Sequence, residues 1–131
     1  MVGTLALFAC KVTVGTETEI AGPVVTKPTE KPAHPDEIRQ DTHEFFVYWQ
    51  TNATAGDKIT GALVAVDVGA AAPAGTELIV PAFDVPAGGN MASGSFNYTK
   101  QDNWPAGKYR IDVKRNAGML GSVAFEIGEA K

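Results

Sequence analysis

Apolar residues recur along this chain in short runs separated by turn signals. They alternate with a period of two, as half-buried β-strands do. The clearest run is 43–52, HEFFVYWQTN. Phe45, Val47 and Trp49 share one face of that strand, and Phe46, Tyr48 and Gln50 share the other. Aromatics on both faces predict a central strand, with one face in the core and the other partly covered. Runs at 4–14 and 18–27 precede it, the second interrupted by Gly22-Pro23, which marks an edge or a bulge because proline cannot donate to a ladder. After it come 58–68, with Ala62, Val64, Val66 and Val68 on one face, and 76–85, broken by Pro81. Residues 92–99 place Phe96 and Tyr98 together. Residues 108–114 turn Tyr109, Ile111 and Val113 inward and Lys108, Arg110, Asp112 and Lys114 outward, and 120–127 closes the series.

Between these runs lie turns at 52–57, 69–75 and 86–90, and the hairpin signal Arg115-Asn116-Ala117-Gly118. No segment has the 3.6-residue period of an amphipathic helix, which excludes the βαβ class. The expected architecture is all-β: an immunoglobulin-like antiparallel β-sandwich of seven to eight strands, in which two alternating faces bury each other. Phe45, Val47, Trp49, Val64, Val66, Phe96, Tyr109, Ile111, Val113 and Phe125 are expected to form its one core.

The segment 28–42, PTEKPAHPDEIRQDT, departs from this pattern. It has three prolines, six charged residues and one large aliphatic, Ile38. It reads as a long polar loop inserted in the domain, with one helical turn at 36–40 where Asp36 would cap. Loops of this length are usually functional or mobile.

Composition narrows the classes further. At 131 residues the chain is expected to be one domain, large enough to bury a core without disulfides or metal. A net charge of -4 argues against a nucleic-acid binder, which must neutralise phosphates. No apolar run reaches the ~20 residues of a membrane span. The single cysteine, Cys10, excludes an intrachain disulfide and CxxC motifs. Leu7-Phe8-Ala9-Cys10 resembles a bacterial lipobox, which would place a lipid anchor on Cys10. The apolar run before Cys10 is short and no Lys or Arg precedes it, which favours a first strand at 4–14 with Cys10 as a small buried hydrophobe.

Residues 103–113, NWPAGKYRIDV, followed by Asn116-Ala117-Gly118 and by Val123-Ala124-Phe125-Glu126-Ile127, resemble the ending of immunoglobulin-like domains in bacterial secreted proteins and lipoproteins. There WPxGxYxV leads through a tight hairpin into the last strand. Residues 65–79 are similar to the middle strands of such domains, and the resemblance covers about residues 43–131. It implies a periplasmic or extracellular bacterial location. It is a fold signature and brings no chemistry with it. In physical terms Trp104 would cap the open end of the core, and Pro105 and Gly107 would shape the turn. Tyr109 would put its ring inside and its hydroxyl on a nearby backbone carbonyl. The Asn116-Ala117-Gly118 loop reads as one residue longer than a plain Asn-Gly turn.

Candidate chemistry is sparse. His34, Asp36, Glu37, Asp41, His43 and Glu44 crowd one segment, and imidazole with carboxylate suits zinc or copper. The two histidines are nine residues apart and match no defined metal motif, so a solvated acidic loop that binds no divalent metal tightly is expected. No G-x-S-x-G or phosphate loop is present, and no cofactor or enzymatic activity is expected. Tyr48, Trp49, Tyr98 and Trp104 offer flat rings that could stack on sugars, although both tryptophans also fit a core. Three function classes follow: a non-enzymatic protein-binding or assembly module, which the strand pattern favours; a carbohydrate-binding module using exposed aromatics; and a metal-binding protein using 34–44. The residues offered as partner or ligand surface are Tyr48, Tyr98, His34 and Glu37. The partner itself is expected to be a protein or a second copy.

Overall fold

The computed structural model describes residues 20–29, 32–88 and 90–130. The strand expected at 4–14, and Cys10 within it, lie outside the described residues. The described residues form nine strands: β1 (Ile20–Val25), β2 (Ile38–Arg39), β3 (Glu44–Asn52), β4 (Lys58–Asp67), β5 (Thr76–Ile79), β6 (Ala82–Asp84), β7 (Met91–Thr99), β8 (Gly107–Arg115) and β9 (Gly118–Gly128). The only helical element among the described residues is a single 3-10 turn at Gly69–Ala71. The larger sheet runs β2-β9-β8-β4-β5, with β6 also on β4, and the smaller runs β1-β3-β7. All pairings are antiparallel except β2 on β9. The chain is an all-β sandwich.

Contacts between the sheets fix their alignment. A Cβ on Gly22 of β1 would meet Val123 of β9, so β1 lies over β9. A Cβ on Gly61 of β4 would stand 2.5 Å from the Phe96 ring and 2.7 Å from the Tyr98 hydroxyl of β7, so β7 lies over β4. The core between them is an aromatic chain. Phe96 stacks on Trp49 at 5.4 Å, Tyr98 on Phe45 at 5.5 Å, Trp104 tilts against Phe45 at 5.1 Å, and Phe125 joins Phe45 to Tyr109. Trp49, Trp104, Tyr98, Tyr109 and Phe45 are all fully buried.

Four details bear on the sequence reading, of which the first, second and fourth depart from it. First, the inward face of β4 is Ile59, Gly61, Leu63 and Ala65, not the valine stripe. Val64 is buried on the outer face, in register with Arg110 and Glu77, and Val66 is only half-buried. The choice follows from β7, since only a position without a side chain can lie under Phe96 and Tyr98. A register shift between Ala65 and Asp67 then reverses the phase and returns Val68 to the core. Phe125, also expected in the core, is half-buried and packs at its margin. Second, 36–40 is no helical turn. Ile38, 3% exposed, joins the core, and Ile38–Arg39 pairs with Ile127 and Gly128. An apolar side chain that can reach a sheet edge outweighs a weak local helix signal. Third, as the break expected at Pro81 requires, 76–85 divides there into β5 and β6, which pair with successive parts of β4. Fourth, the β8–β9 hairpin has a two-residue loop, Asn116-Ala117, with Asn116 at φ 57, a conformation asparagine tolerates.

Candidate functional site

The 28–42 segment is tied to the sandwich. The Asp36 carboxylate accepts from the Thr26 backbone N–H at 2.8 Å and from its hydroxyl at 3.0 Å, and these bonds lower its pKa. Further on, Trp104 is held by three contacts. Its Nε1 donates to the Thr42 carbonyl at 2.7 Å, its N–H donates to the Gln40 carbonyl at 3.0 Å, and its own carbonyl accepts from Gln40 Nε2 at 3.0 Å. The loop thus helps to seal one end of the core.

The candidate metal ligands are each engaged elsewhere or apart. His34 is exposed. Glu37 pairs with Arg39 at 2.8 Å, His43 Nδ1 bonds the Lys100 carbonyl at 3.0 Å, and Glu44 accepts from Asn97 at 3.2 Å. Asp36 belongs to the Thr26 clasp. Among the described residues no three His, Cys, Asp or Glu side chains come together as a metal site.

The expected aromatic surface is also dispersed. Tyr48 is 3% exposed and donates to Gln50 at 3.0 Å. Tyr98 is fully buried and donates to the Gly61 carbonyl at 2.7 Å, and burial raises its pKa. With Trp49 and Trp104 at 1% and 2% exposure, none of the four rings offers a flat face to a sugar. Tyr48 bonds within its own strand and Tyr98 ties β7 to β4, so neither buried side chain is presented to a partner.

The Trp104–Tyr109 corner has the expected form. The Tyr109 ring is inside, and its hydroxyl donates to the Pro105 carbonyl at 2.5 Å. Burial pushes its pKa up to about 12. Gly107 adopts φ +148, and a Cβ there would lie 2.2 Å from the Asp67 carbonyl oxygen, so the turn requires glycine.

What the structure brings together is the side of the sandwich formed by β5, β6 and β7. Because β7 lies over β4, the larger sheet extends past it by the width of β5 and β6. Those strands form an apolar shelf beneath the outer edge of β7. Four of the five exposed large apolar side chains among the described residues, Leu78, Val80, Phe83 and Met91, lie on these strands or in the link between β5 and β6. A cavity of about 380 Å³ opens at the upper end, lined by Leu78, Ile79, Val68, Thr99, Trp104 and Tyr109 among others.

The phase of β7 follows from two bonds at its ends. Ala53 N–H donates to the Asn90 carbonyl at 3.1 Å, and Lys100 N–H to the His43 carbonyl at 3.0 Å. Even-numbered residues therefore turn their N–H and C=O groups to β3. Met91, Ser93, Ser95, Asn97 and Thr99 turn theirs outward, where no described strand pairs with them. The β3–β7 register runs from Glu44↔Thr99 to Asn52↔Met91 without a bulge. Beneath this edge lies Trp49 Nε1, the one buried side-chain nitrogen or oxygen among the described residues with no hydrogen-bond partner. Its ring edge lies 3.3–3.6 Å from where a Cβ on Gly94 would stand, and its other side meets Phe83 at 5.3 Å between centroids.

No protein-family model matches the chain, and no curated protein does. Among solved structures it is similar to the alkylpurine DNA glycosylase AlkC of Pseudomonas fluorescens bound to DNA containing an abasic site analog, at 19% identity and TM-score 0.41 over 64% of this chain. It is also similar to DesR, a beta-glucosidase from Streptomyces venezuelae in complex with D-glucose, at 15% identity and TM-score 0.47 over 83% of this chain. The matched part is 24% and 15% of those chains, respectively.

Proposed function

We propose that this chain is a non-enzymatic protein-interaction or assembly module of immunoglobulin-like type that acts through the β5–β6–β7 side of its sandwich. One observation carries the reading. Among the described residues β7 is a nine-residue edge strand with no proline, bulge or charged residue. Edge strands normally carry at least one such device against pairing. The chain has them elsewhere: β1 has Pro23 and a register shift, and Pro81 separates β5 from β6. An edge that no described strand covers, beside exposed apolar side chains, is the form a strand-pairing surface takes. The resemblance of 103–127 to secreted bacterial domains supports an extracytoplasmic setting for the same reading.

A photo-crosslinking amino acid in place of Leu78, with a control in place of Met119 on the distant β8–β9 hairpin, tests it in the native host. Discrete protein adducts are expected from position 78 and not from position 119. Absence of adducts at both positions, or equal labelling at both, rejects the interaction reading.

A further inference from the structure

We infer that the β7 edge takes a single extended peptide segment, largely uncharged and alternating apolar and small polar residues, and not the edge of a second folded sandwich. This rests on the interaction reading above and specifies the occupant.

The shelf makes the selection. A strand added to β7 would sit about 4.8 Å beyond it, directly over β5 and β6. In a second copy paired through its own β7, that strand would have β4 beneath it, as β4 lies beneath β7 here. The partner's β4 would then occupy the space that β5 and β6 already fill. A lone segment has no second layer and meets no such obstacle. Its inward side chains would come down on Leu78 and Phe83 and into the cavity by Thr99. Its outward ones would lie beside Ser93, Ser95 and Asn97.

The backbone and charge pattern give the segment its chemistry. Five residues of β7, at alternate positions from Met91 to Thr99, present N–H and C=O groups to it, which pairs a segment of about nine residues. Since 91–99 carries no charge, a charged side chain on the segment would be desolvated against the shelf with no counter-ion on β7. Opposite Gly94 a hydroxyl or amide side chain fits, because Trp49 Nε1 beneath that glycine is a donor without an acceptor. Leaving such a donor unpaired in the interior is unfavourable, and an acceptor brought by the segment would remove that cost.

The test uses the full chain and a capped nine-residue peptide alternating Thr and Val, with Val inward except for a Thr at the inward position opposite Gly94, and a scrambled peptide of the same composition as control. Binding of the alternating peptide, at least tenfold tighter than the scrambled one by titration calorimetry, is expected. NMR should show the Trp49 indole N–H shifted and the amides of Ser93, Ser95 and Asn97 newly protected from exchange. Ser95→Pro removes an outward N–H without touching the β3–β7 bonds and should abolish binding while the thermal midpoint stays near that of the parent. Leu78→Lys, an exposed substitution on the shelf, should weaken binding at least tenfold. Equal binding to Ser95→Pro, or no binding of the alternating peptide at millimolar concentration, overturns the inference. So does protection of those amides in the free protein, since the edge would then be covered by the chain itself. Crosslinks from position 78 that map to the surface of a folded partner domain would overturn the single-segment inference and leave the interaction reading intact. An absence of any adduct would remove both.

Discussion

Tyr109 shows how much one side chain can be asked to do at a sandwich corner. Its ring shares the inward phase of Ile111 and Val113, and its hydroxyl closes back on Pro105 four residues earlier. Tyr109→Phe should therefore lose about 0.5–1.5 kcal/mol in urea melts, the ordinary net value of one hydrogen bond. The pH dependence has a definite sign. The folded phenol is held neutral up to about 12, against 10.0 for the free side chain. Its contribution is present below pH 10 and is lost as the pH rises from 10 towards 12. The Tyr109→Phe protein should fall less steeply over that interval. Gly61 makes the complementary case, an absence required by its neighbours. Gly61→Ala would drive a methyl group into Phe96 and the Tyr98 hydroxyl, and should cost about 1–3 kcal/mol, as overpacking does. Stability equal to that of the parent would show that β7 shifts freely over β4.

At the scale of elements, the sequence was most legible where a strand alternates cleanly. β3 and β8 have the expected phase, and in both the aromatic or branched face is the buried one. In β8 the charged residues leave only one face that can enter a core, and in β3 the face that ends in Gln50 stays outside. β4 was misread because both of its faces are apolar. Periodicity does not separate them, and the decision rests with β7, some thirty residues away. The 28–42 segment was misread for a related reason. Its polarity is that of a loop, but Ile38, Asp36, Gln40 and Thr42 each find a partner distant in sequence. The candidate metal cluster dissolved in the same way, because proximity along the chain did not become proximity of side chains. The proposed interaction surface left even less trace. Ser93-Gly94-Ser95 is unremarkable strand sequence, and its place at an edge depends on sheet order.

For the molecule as a whole, two carboxylates fasten turns to the sandwich. Asp36 holds Thr26. Asp57 accepts from the Thr54 backbone N–H at 3.0 Å and from Asn116 Nδ2 at 3.1 Å, joining the β3–β4 turn to the β8–β9 hairpin. For both, hydrogen bonding to the charged form lowers the folded pKa below 3.8. A depressed carboxylate contributes stability that is present above the unfolded value and is lost as pH falls through the folded one. Stability measured by chemical denaturation should therefore decline below about pH 4. An Asp36→Asn, Asp57→Asn double variant should be less stable than the parent at pH 7 and show a shallower acid decline. Parallel curves for the two proteins would place the acid sensitivity elsewhere.

The sequence by itself determined that this chain builds strands and that two alternating faces meet in one aromatic-rich core. It also determined that the corner at Trp104–Tyr109 closes through a glycine turn and a buried hydroxyl. These follow from local rules: side chains alternate along a strand, proline and glycine restrict or free the backbone, and a buried hydroxyl needs an acceptor. Tertiary structure alone decided which face of β4 is inside and that Ile38 leaves its loop for the core. It alone also put β7 at the edge of the described sheet, above an apolar shelf. Each of these depends on which strands become neighbours, and that is settled by the mutual fit of side chains far apart in the chain.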